Sequence, residues 1–240
     1  QPSTGNSTSF RNQKTMLSAE DQVSQMVYDG NFPQFKMKVD QDRSMATKVD
    51  KSGRCPLHWA ASGGRFDIVE YLLRLQVDVD PRDESNWTPM MIAASAGHKQ
   101  IVKLLLGHGA QVNAVNIKGQ CPLHYTASKD WIEIAEMLLE KGADPQIFDH
   151  LGHTPLHRAS CKGNSKMVKL LLQYIGDVNH RDTTGSTPLH LACEDDRGEI
   201  AHLLINHGAR LDIQNNEEKT PVDVAPRGLK NALRSRMDVA

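Results

Sequence analysis

Cysteine and histidine occur together at two places in this chain, with a spacing that suits metal binding. Cys55 precedes His58 by three residues, and Cys121 precedes His124 by the same interval. Thiolate and imidazole are preferred ligands of Zn²⁺, and two such pairs could complete one tetrahedral site. A cysteine with a histidine nearby is also the pattern of a nucleophile with its base. Zinc binding and thiol catalysis are therefore the two chemistries to weigh.

Both Cys–His pairs belong to one four-residue sequence that recurs at a fixed interval. The sequence is Thr or Cys, then Pro, Leu and His, with variations in two copies, and it begins every 33 residues. A strict period of this length is typical of stacked repeats. Proline suits the first turn of a helix, because its φ is fixed near the helical value and no N–H is needed there. The six copies begin at Cys55, Thr88, Cys121, Thr154, Thr187 and Thr220.

Each repeat contains two short apolar stretches with helical spacing, separated by a Gly or Asp and followed by a turn rich in Asp, Asn and Gly. A unit of this length, with this signature, resembles the ankyrin repeat. The sequence predicts an all-α ankyrin-repeat solenoid of seven stacked helix-turn-helix repeats, with β-turn fingers and divergent terminal repeats. The predicted repeats are 18–49, 50–82, 83–115, 116–148, 149–181, 182–214 and 215–240.

Several irregularities are expected along this solenoid. Residues 1–15 are polar and predict a flexible tail, so the single ankyrin-repeat domain is predicted to cover 16–240. A glycine recurs at the end of the second helix, and Gln76 and Ile175 replace it in two repeats, which predicts reshaped corners there. In the last repeat, 226–228 (Pro-Arg-Gly) predicts a shortened or distorted second helix.

The repeat spacing argues against a metal centre and against catalysis. Packed helices lie about 8–10 Å apart, so motifs two repeats apart would lie roughly 20 Å from each other, whereas zinc ligands lie within about 2.3 Å of the ion. We expect the histidines to form hydrogen bonds within and between turns instead. Cys193 falls on a buried track of small residues and Cys161 lies at its edge, and neither has an orienting acid that the sequence identifies. We therefore expect no enzyme activity, no cofactor and no metal.

Composition leaves protein binding as the expected role. With 28 basic and 29 acidic residues and a net charge of -1, the chain has no overall bias toward nucleic acid or membrane surfaces. Its four cysteines form no disulfide framework, which is typical of a reducing compartment. We expect a monomer in the cytoplasm and nucleus, with neither nucleic acid nor membrane among its partners.

The expected binding surface is a concave strip made of the finger tips and the outer face of the first helices, which align in a stack of such repeats. Aromatic and arginine side chains, which often dominate binding energy, occur on it, and Ile92 is placed there too. The strip is basic in its middle and acidic toward its C-terminal end. The predicted partner-binding residues are Asp50, Arg54, Trp59, Glu84, Trp87, Lys118, Tyr125, Lys129, Arg158, Lys162, Glu194 and Asp195.

Four segments carry more than the general ankyrin pattern: 109–116 (GAQVNAVN), 123–129 (LHYTASK), 187–193 (TPLHLAC) and 217–221 (EEKTP). With these segments the chain resembles the ankyrin-repeat assembly chaperones of the proteasome regulatory particle. The resemblance implies a non-enzymatic chaperone whose concave face clasps the C-terminal domain of one ATPase subunit of the proteasome base.

The same resemblance implies ion-pairing contacts at Asp50, Arg54, Glu84 and Lys129. Ser52 stands where that family commonly has an acid, so the resemblance does not carry over one of the family's ion pairs. Members of that family are also described as binding a cyclin-dependent kinase, or the retinoblastoma protein through Leu-x-Cys-x-Glu. This chain has 191–195 (LACED), which ends in Asp. A cell-cycle regulator is therefore the alternative function.

Overall fold

The computed structural model describes residues 19–237, and in this part of the chain the α-helices come in pairs. The predicted tail, 1–15, lies outside the described residues. A short 3₁₀ turn, Arg43–Ala46, follows the first pair. The helices are α1 Ala19–Asp29, α2 Phe32–Gln41, α3 Pro56–Gly63, α4 Phe66–Arg74, α5 Pro89–Ala96, α6 Lys99–Gly107, α7 Pro122–Lys129, α8 Ile132–Glu140, α9 Pro155–Lys162, α10 Ser165–Leu171, α11 Pro188–Glu194, α12 Gly198–Asn206, α13 Pro221–Val224 and α14 Arg227–Met237.

The first helix of each regular repeat begins at its proline, as predicted. The residue before the proline is extended and caps the helix: Thr154 Oγ1 accepts a hydrogen bond from the backbone N–H of His157. In return, His157 Nδ1 accepts one from the backbone N–H of Thr154, at 3.2 Å. Two backbone groups that a helix start leaves without partners are thus satisfied by one pair of side chains.

The first helices of neighbouring repeats pack directly on each other, because small residues occupy their contact faces. Ala60, Ala93, Ala127, Ala159 and Ala192 are all fully buried. The second helices cover this layer with larger apolar side chains such as Ile68 and Leu72, and together they form one continuous core. Each repeat therefore buries its apolar face only against its neighbours, which is how a solenoid is stabilised.

The turns between helix pairs form six fingers, at 50–54, 83–87, 116–120, 149–153, 182–186 and 215–219. Backbone hydrogen bonds join each finger to the next: the N–H of Glu84 donates to the carbonyl of Ser52 at 3.1 Å. The same bond recurs two repeats further on between His150 and Lys118, at 3.0 Å. The fingers therefore keep the 33-residue register of the sequence.

Two of the expected irregularities differ from the sequence prediction. Gln76 adopts the left-handed conformation itself, with φ of 59°, so the end of α4 is not reshaped. Ile175 is not among the residues with positive φ, and there the helix does change, since α10 ends at Leu171 and has only seven residues. The prediction of reshaped corners was therefore wrong for Gln76 and is confirmed for Ile175.

The last repeat is irregular in the opposite helix from the one predicted. Its first helix, α13, has four residues and ends where Ala225 is extended before Pro226. The second helix, α14, has eleven residues and packs Leu229 and Leu233 into the core. The residue before a proline avoids the helical conformation, and proline itself starts the next helix without penalty. The expected shortening of the second helix was therefore wrong.

The described residues confirm the predicted fold class, an all-α stack of helix pairs. No helix among residues 19–237 is long and apolar enough to cross a membrane.

Candidate protein-binding surface

The fingers and the exposed residues of the first helices form the surface on which the sequence places a partner; we call it the binding strip. Each finger begins with an Asp or Asn whose side chain holds the turn closed. Asp50 Oδ1 accepts hydrogen bonds from the backbone N–H groups of Ser52 and Arg54, at 2.9 and 3.1 Å. Asp83, Asn116, Asp149, Asp182 and Asn215 repeat this arrangement.

Asp50, a predicted partner-binding residue, is committed within the protein. Its second oxygen, Oδ2, accepts from Trp59 Nε1 at 2.7 Å and from Ser24 Oγ at 3.1 Å. Burial favours the neutral acid, but the hydrogen bonds from Ser52, Trp59 and Arg54 outweigh it, so the pKa of Asp50 lies below its usual value. Asp50 is thus an ionised anchor of the first finger.

The two predicted arginines also have internal partners. Arg54 Nε lies 2.9 Å from Asp83 Oδ2 on the next finger, and its guanidinium lies 5.2 Å from the ring centroid of Trp59. Arg158 binds the carboxylate of Asp149. Both carboxylates are almost fully buried, so the first pair holds two neighbouring fingers together and the second holds a finger against α9.

The aromatic residues of the strip pack between repeats. The rings of Trp87 and Tyr125 lie 4.6 Å apart between centroids. The Tyr125 hydroxyl accepts a hydrogen bond from Asn116 Nδ2 and donates one to Gln120 Oε1, and burial raises its pKa to about 12. Ile92, which the sequence placed on the strip, is buried in the core, so that placement was wrong.

The other predicted charges point outward. Glu84, Lys118, Lys129 and Lys162 are exposed and make no side-chain ion pair or hydrogen bond with another described residue. Glu194 and Asp195 are also exposed at the end of α11. The strip therefore offers a middle with three unpaired lysines and an acidic C-terminal end, built on fingers that the protein itself holds rigid. These residues remain predicted contacts.

The recurring histidines join repeats to each other. His58 Nδ1 accepts from the backbone N–H of Cys55 at 3.2 Å, so its Nε2 carries the proton and donates to the carbonyl of Trp87, one repeat away, at 3.1 Å. His124, His157 and His190 make the same two bonds. Burial lowers the pKa of all four, to about 4 for His157. This confirms the expected hydrogen bonds within and between turns.

The thiols are not activated. Burial raises the pKa of all four cysteines, to about 12 for Cys193. Cys161 does have an acid beside it, Asp195, which the sequence did not reveal, but that carboxylate raises the thiol pKa further. Cys193 is fully buried, so 191–195 cannot present it to a partner as part of an extended motif. Within residues 21–235, no three His, Cys, Asp or Glu side chains are grouped so as to hold a metal ion.

Sequence reasoning missed the carboxylates that position this surface. Asp83, Asp149 and Asp182 each hold a finger and bind a side chain from another part of the stack. The signal was present in the sequence, because Asp or Asn recurs at 50, 83, 116, 149, 182 and 215 with the same 33-residue period. The Asp and Asn residues that recur at this position hold the fingers in shape. The neighbouring residues, which differ from repeat to repeat, are the ones available to contact a partner.

Models of the ankyrin-repeat family match residues 24–116, 108–182 and 173–225. The chain belongs to the ankyrin-repeat family, whose stacked repeats are protein-binding scaffolds. Within it, the chain is similar to the 26S proteasome non-ATPase regulatory subunit 10 of mouse and rat, with 51% identity over 65 residues, and to the human protein, with 50%. These matches cover 27% of this chain and only 28 to 29% of the relatives.

A solved structure covers far more of the chain. The ankyrin repeat domain of Bcl-3, described as a unique member of the IkappaB protein family, matches 91% of this chain and all of that chain, with a TM-score of 0.77 and 26% identity. The sequence likeness is thus local, and the structural likeness supports the repeat architecture over 91% of the chain.

Proposed function

We propose that this protein is a non-enzymatic chaperone of the proteasome regulatory particle. On this proposal, the binding strip holds the C-terminal domain of one ATPase subunit of the base until the subunit is assembled. The local identity of about half the residues to a named regulatory subunit of the 26S proteasome is the observation that carries the proposal. A location in both cytoplasm and nucleus is part of it.

The structure supports a role in protein binding through the charges that it leaves without partners. Lys118 and Lys129 are exposed on a finger and on the first helix beside it, while Arg54 and Arg158 are held by buried carboxylates. Unpaired charges on a rigid surface raise the rate of association with an oppositely charged partner, and they disfavour wrong partners. The basic middle of the strip therefore suits an acidic region on the partner.

The decisive experiment is a pull-down with the full chain, followed by mass spectrometry of the bound proteins. We expect ATPase subunits of the proteasome base to be enriched. A variant with Lys118→Glu and Lys129→Glu should lose most of that binding, and a recombinant C-terminal ATPase domain should bind it at least tenfold more weakly than the unsubstituted chain. Arg54 is left unchanged, because its reversal would also disrupt its pair with Asp83.

Lys103 and Lys141 offer a matched control, since both are exposed on second helices or their ends, away from the fingers. Replacing both with Glu changes the net charge equally and should leave binding intact. If the two double variants bind equally, the strip is not the contact surface. Enrichment of a cyclin-dependent kinase or the retinoblastoma protein, without base subunits, would favour the cell-cycle alternative.

A further inference from the structure

A cavity of about 330 Å³ lies at the N-terminal end of the binding strip, where α1, α3 and the first finger meet. None of the predicted functions accounts for it. Its lining residues are Asp21, Ser24, Gln25, Tyr28, Asp50 and Trp59.

Tyr28 makes this cavity different from the rest of the stack. In the five following repeats the equivalent position holds a small, buried residue: Ala61, Ala94, Ala127, Ser160 or Cys193. In the first repeat a tyrosine stands there instead, and 42% of it is exposed. Its ring lies 6.1 Å from that of Trp59, at an angle of 88°. Two aromatic rings therefore meet nearly at a right angle, and that of Tyr28 is partly exposed to solvent.

The cavity is acidic as well as aromatic. Asp50 is ionised and held in place by Trp59 Nε1 and Ser24 Oγ. Asp21 lies 3.4 Å from the ammonium of Lys51, and 25% of the Asp21 side chain is exposed. Arg54, whose guanidinium lies over the Trp59 ring, is already paired with Asp83. Among the described residues, the lining thus contains two carboxylates and no basic residue.

We propose that this cavity binds a basic side chain, an arginine or lysine, from the protein partner held on the binding strip. This inference depends on the proposed function in one respect, namely that the basic side chain belongs to the partner proposed above. A cation there contacts the aromatic surface of Tyr28, where the ring quadrupole attracts positive charge, and pairs with the carboxylates beside it. An apolar side chain would instead remove water from two carboxylates without replacing its hydrogen bonds.

The proposal can be tested without the partner, with N-acetyl-L-arginine amide as the probe. The chain has three tryptophans, so NMR gives three indole N–H signals, and that of Trp59 reports on the cavity because it bonds to Asp50. We expect the arginine probe at millimolar concentration to shift the Trp59 signal and leave that of Trp131 unchanged. The citrulline analogue, which has nearly the same shape and no charge, should shift neither.

Tyr28→Ala should remove the arginine-induced shift, and Tyr28→Phe should keep it. Asp21→Asn should weaken it, and this second variant keeps the test valid if the alanine variant disturbs α1. Equal shifts from the arginine and citrulline probes, or a larger shift from N-acetyl-L-leucine amide, would overturn the inference, as would a Trp59 signal that no probe moves.

Binding to the recombinant ATPase domain separates this inference from the proposed function. We expect Tyr28→Ala to weaken that binding about tenfold, as for an interface residue of high energetic weight. The matched control is Tyr174→Ala, since Tyr174 is exposed to a similar degree and follows α10, away from the cavity. If Tyr28→Ala binds as tightly as the unsubstituted chain, the inference is wrong while the proposed function stands. If the unsubstituted chain does not bind the ATPase domain, the proposed function fails and the probe titration alone decides the inference.

Discussion

His153 Nε2 lies 3.2 Å from Asp182 Oδ2, so an imidazole side chain joins the fourth finger to the fifth. The same finger position makes the link with other residues elsewhere: Arg54 binds Asp83 through a permanent charge, and Gln120 binds Asp149 through a neutral amide. The interfaces between repeats are therefore alike in geometry and different in chemistry.

The hydrogen bond between His153 and Asp182 predicts that replacing these two residues lowers stability by different amounts. Asp182→Ala should lower the free energy of unfolding by about 2–3 kcal/mol, because Asp182 also accepts from the backbone N–H groups of Thr184 and Ser186. His153→Ala should cost about 1 kcal/mol. Urea denaturation measures both. In the double variant the loss of His153 should cost less than it does alone, and strictly additive losses would contradict the link.

The buried histidines predict a loss of stability in mild acid. The pKa of His157 is about 4 in the folded protein and 6.5 in its ordinary state, so below pH 6.5 the unfolded chain binds a proton that the folded chain does not. The contribution of His157 to the free energy of unfolding should be constant above pH 6.5. It should fall by up to roughly 3 kcal/mol between pH 6.5 and 4, and the other three histidines act in the same direction.

Urea denaturation at several pH values measures this loss. In a His157→Gln variant, the slope of stability against pH in that window should become shallower. His108→Ala is the comparison variant, because His108 is an exposed histidine at the end of α6. A slope unaffected by His157→Gln would contradict the assignment.

Asp130 predicts a stabilising substitution. It ends α7 in the left-handed conformation, with φ of 61°, where an equivalent repeat has Gly97. Its Oδ1 is buried and has no hydrogen-bond partner among the described residues. Asp130→Gly should raise the unfolding free energy by about 0.5–1 kcal/mol by removing both costs. Thermal unfolding measures the gain, and Asp196→Gly, exposed with φ of 55°, should gain less. A lower melting temperature for Asp130→Gly would refute this reading.

Cys121 predicts a second stabilising change. It occupies the capping position that Thr154 and Thr187 hold in other repeats, but a thiol is a weak hydrogen-bond acceptor. Cys121→Thr should therefore increase stability by about 0.5–1 kcal/mol, since the hydroxyl can accept from the N–H of His124. Urea denaturation checks the gain, and Cys121→Ala, which cannot cap, should lose stability. A threonine variant no more stable than the alanine variant would show that the cap adds nothing here.

The sequence predicted the parts of the structure that recur. The 33-residue interval fixed where each first helix begins and which residues, such as Ala93 and Ala127, its packing face buries. Local rules sufficed there, because proline, the capping residue and the histidine act within one turn of each other. The same rules failed for the short helix α13 and for Gln76 with its positive φ. Whether such a backbone conformation is tolerated depends on the packing around it.

The binding strip was harder to predict, because its residues bind partners far away in the sequence. Nothing local shows that Arg54 is held by Asp83, or that Trp87 packs on Tyr125. The set of partner-binding residues predicted from the sequence therefore included both residues that bind within the protein and residues that face outward. Tyr28 was missed for a related reason: the first repeat lacks the signature sequence, so its residues were not compared one by one with those of the other repeats, although the 33-residue period extends to it.

The unbroken register of the fingers limits how the specificity of this protein can change. Because each finger is bonded to the next through the same backbone groups, a residue inserted in one finger would disrupt both neighbouring contacts. Adding or removing a complete repeat between Lys118 and Glu194 would keep the fold, but it would change the distance between these two residues by the length of one repeat. New partners can therefore be acquired only by exchanging side chains at fixed sites, or by changing the repeat number and losing the old pattern of charge.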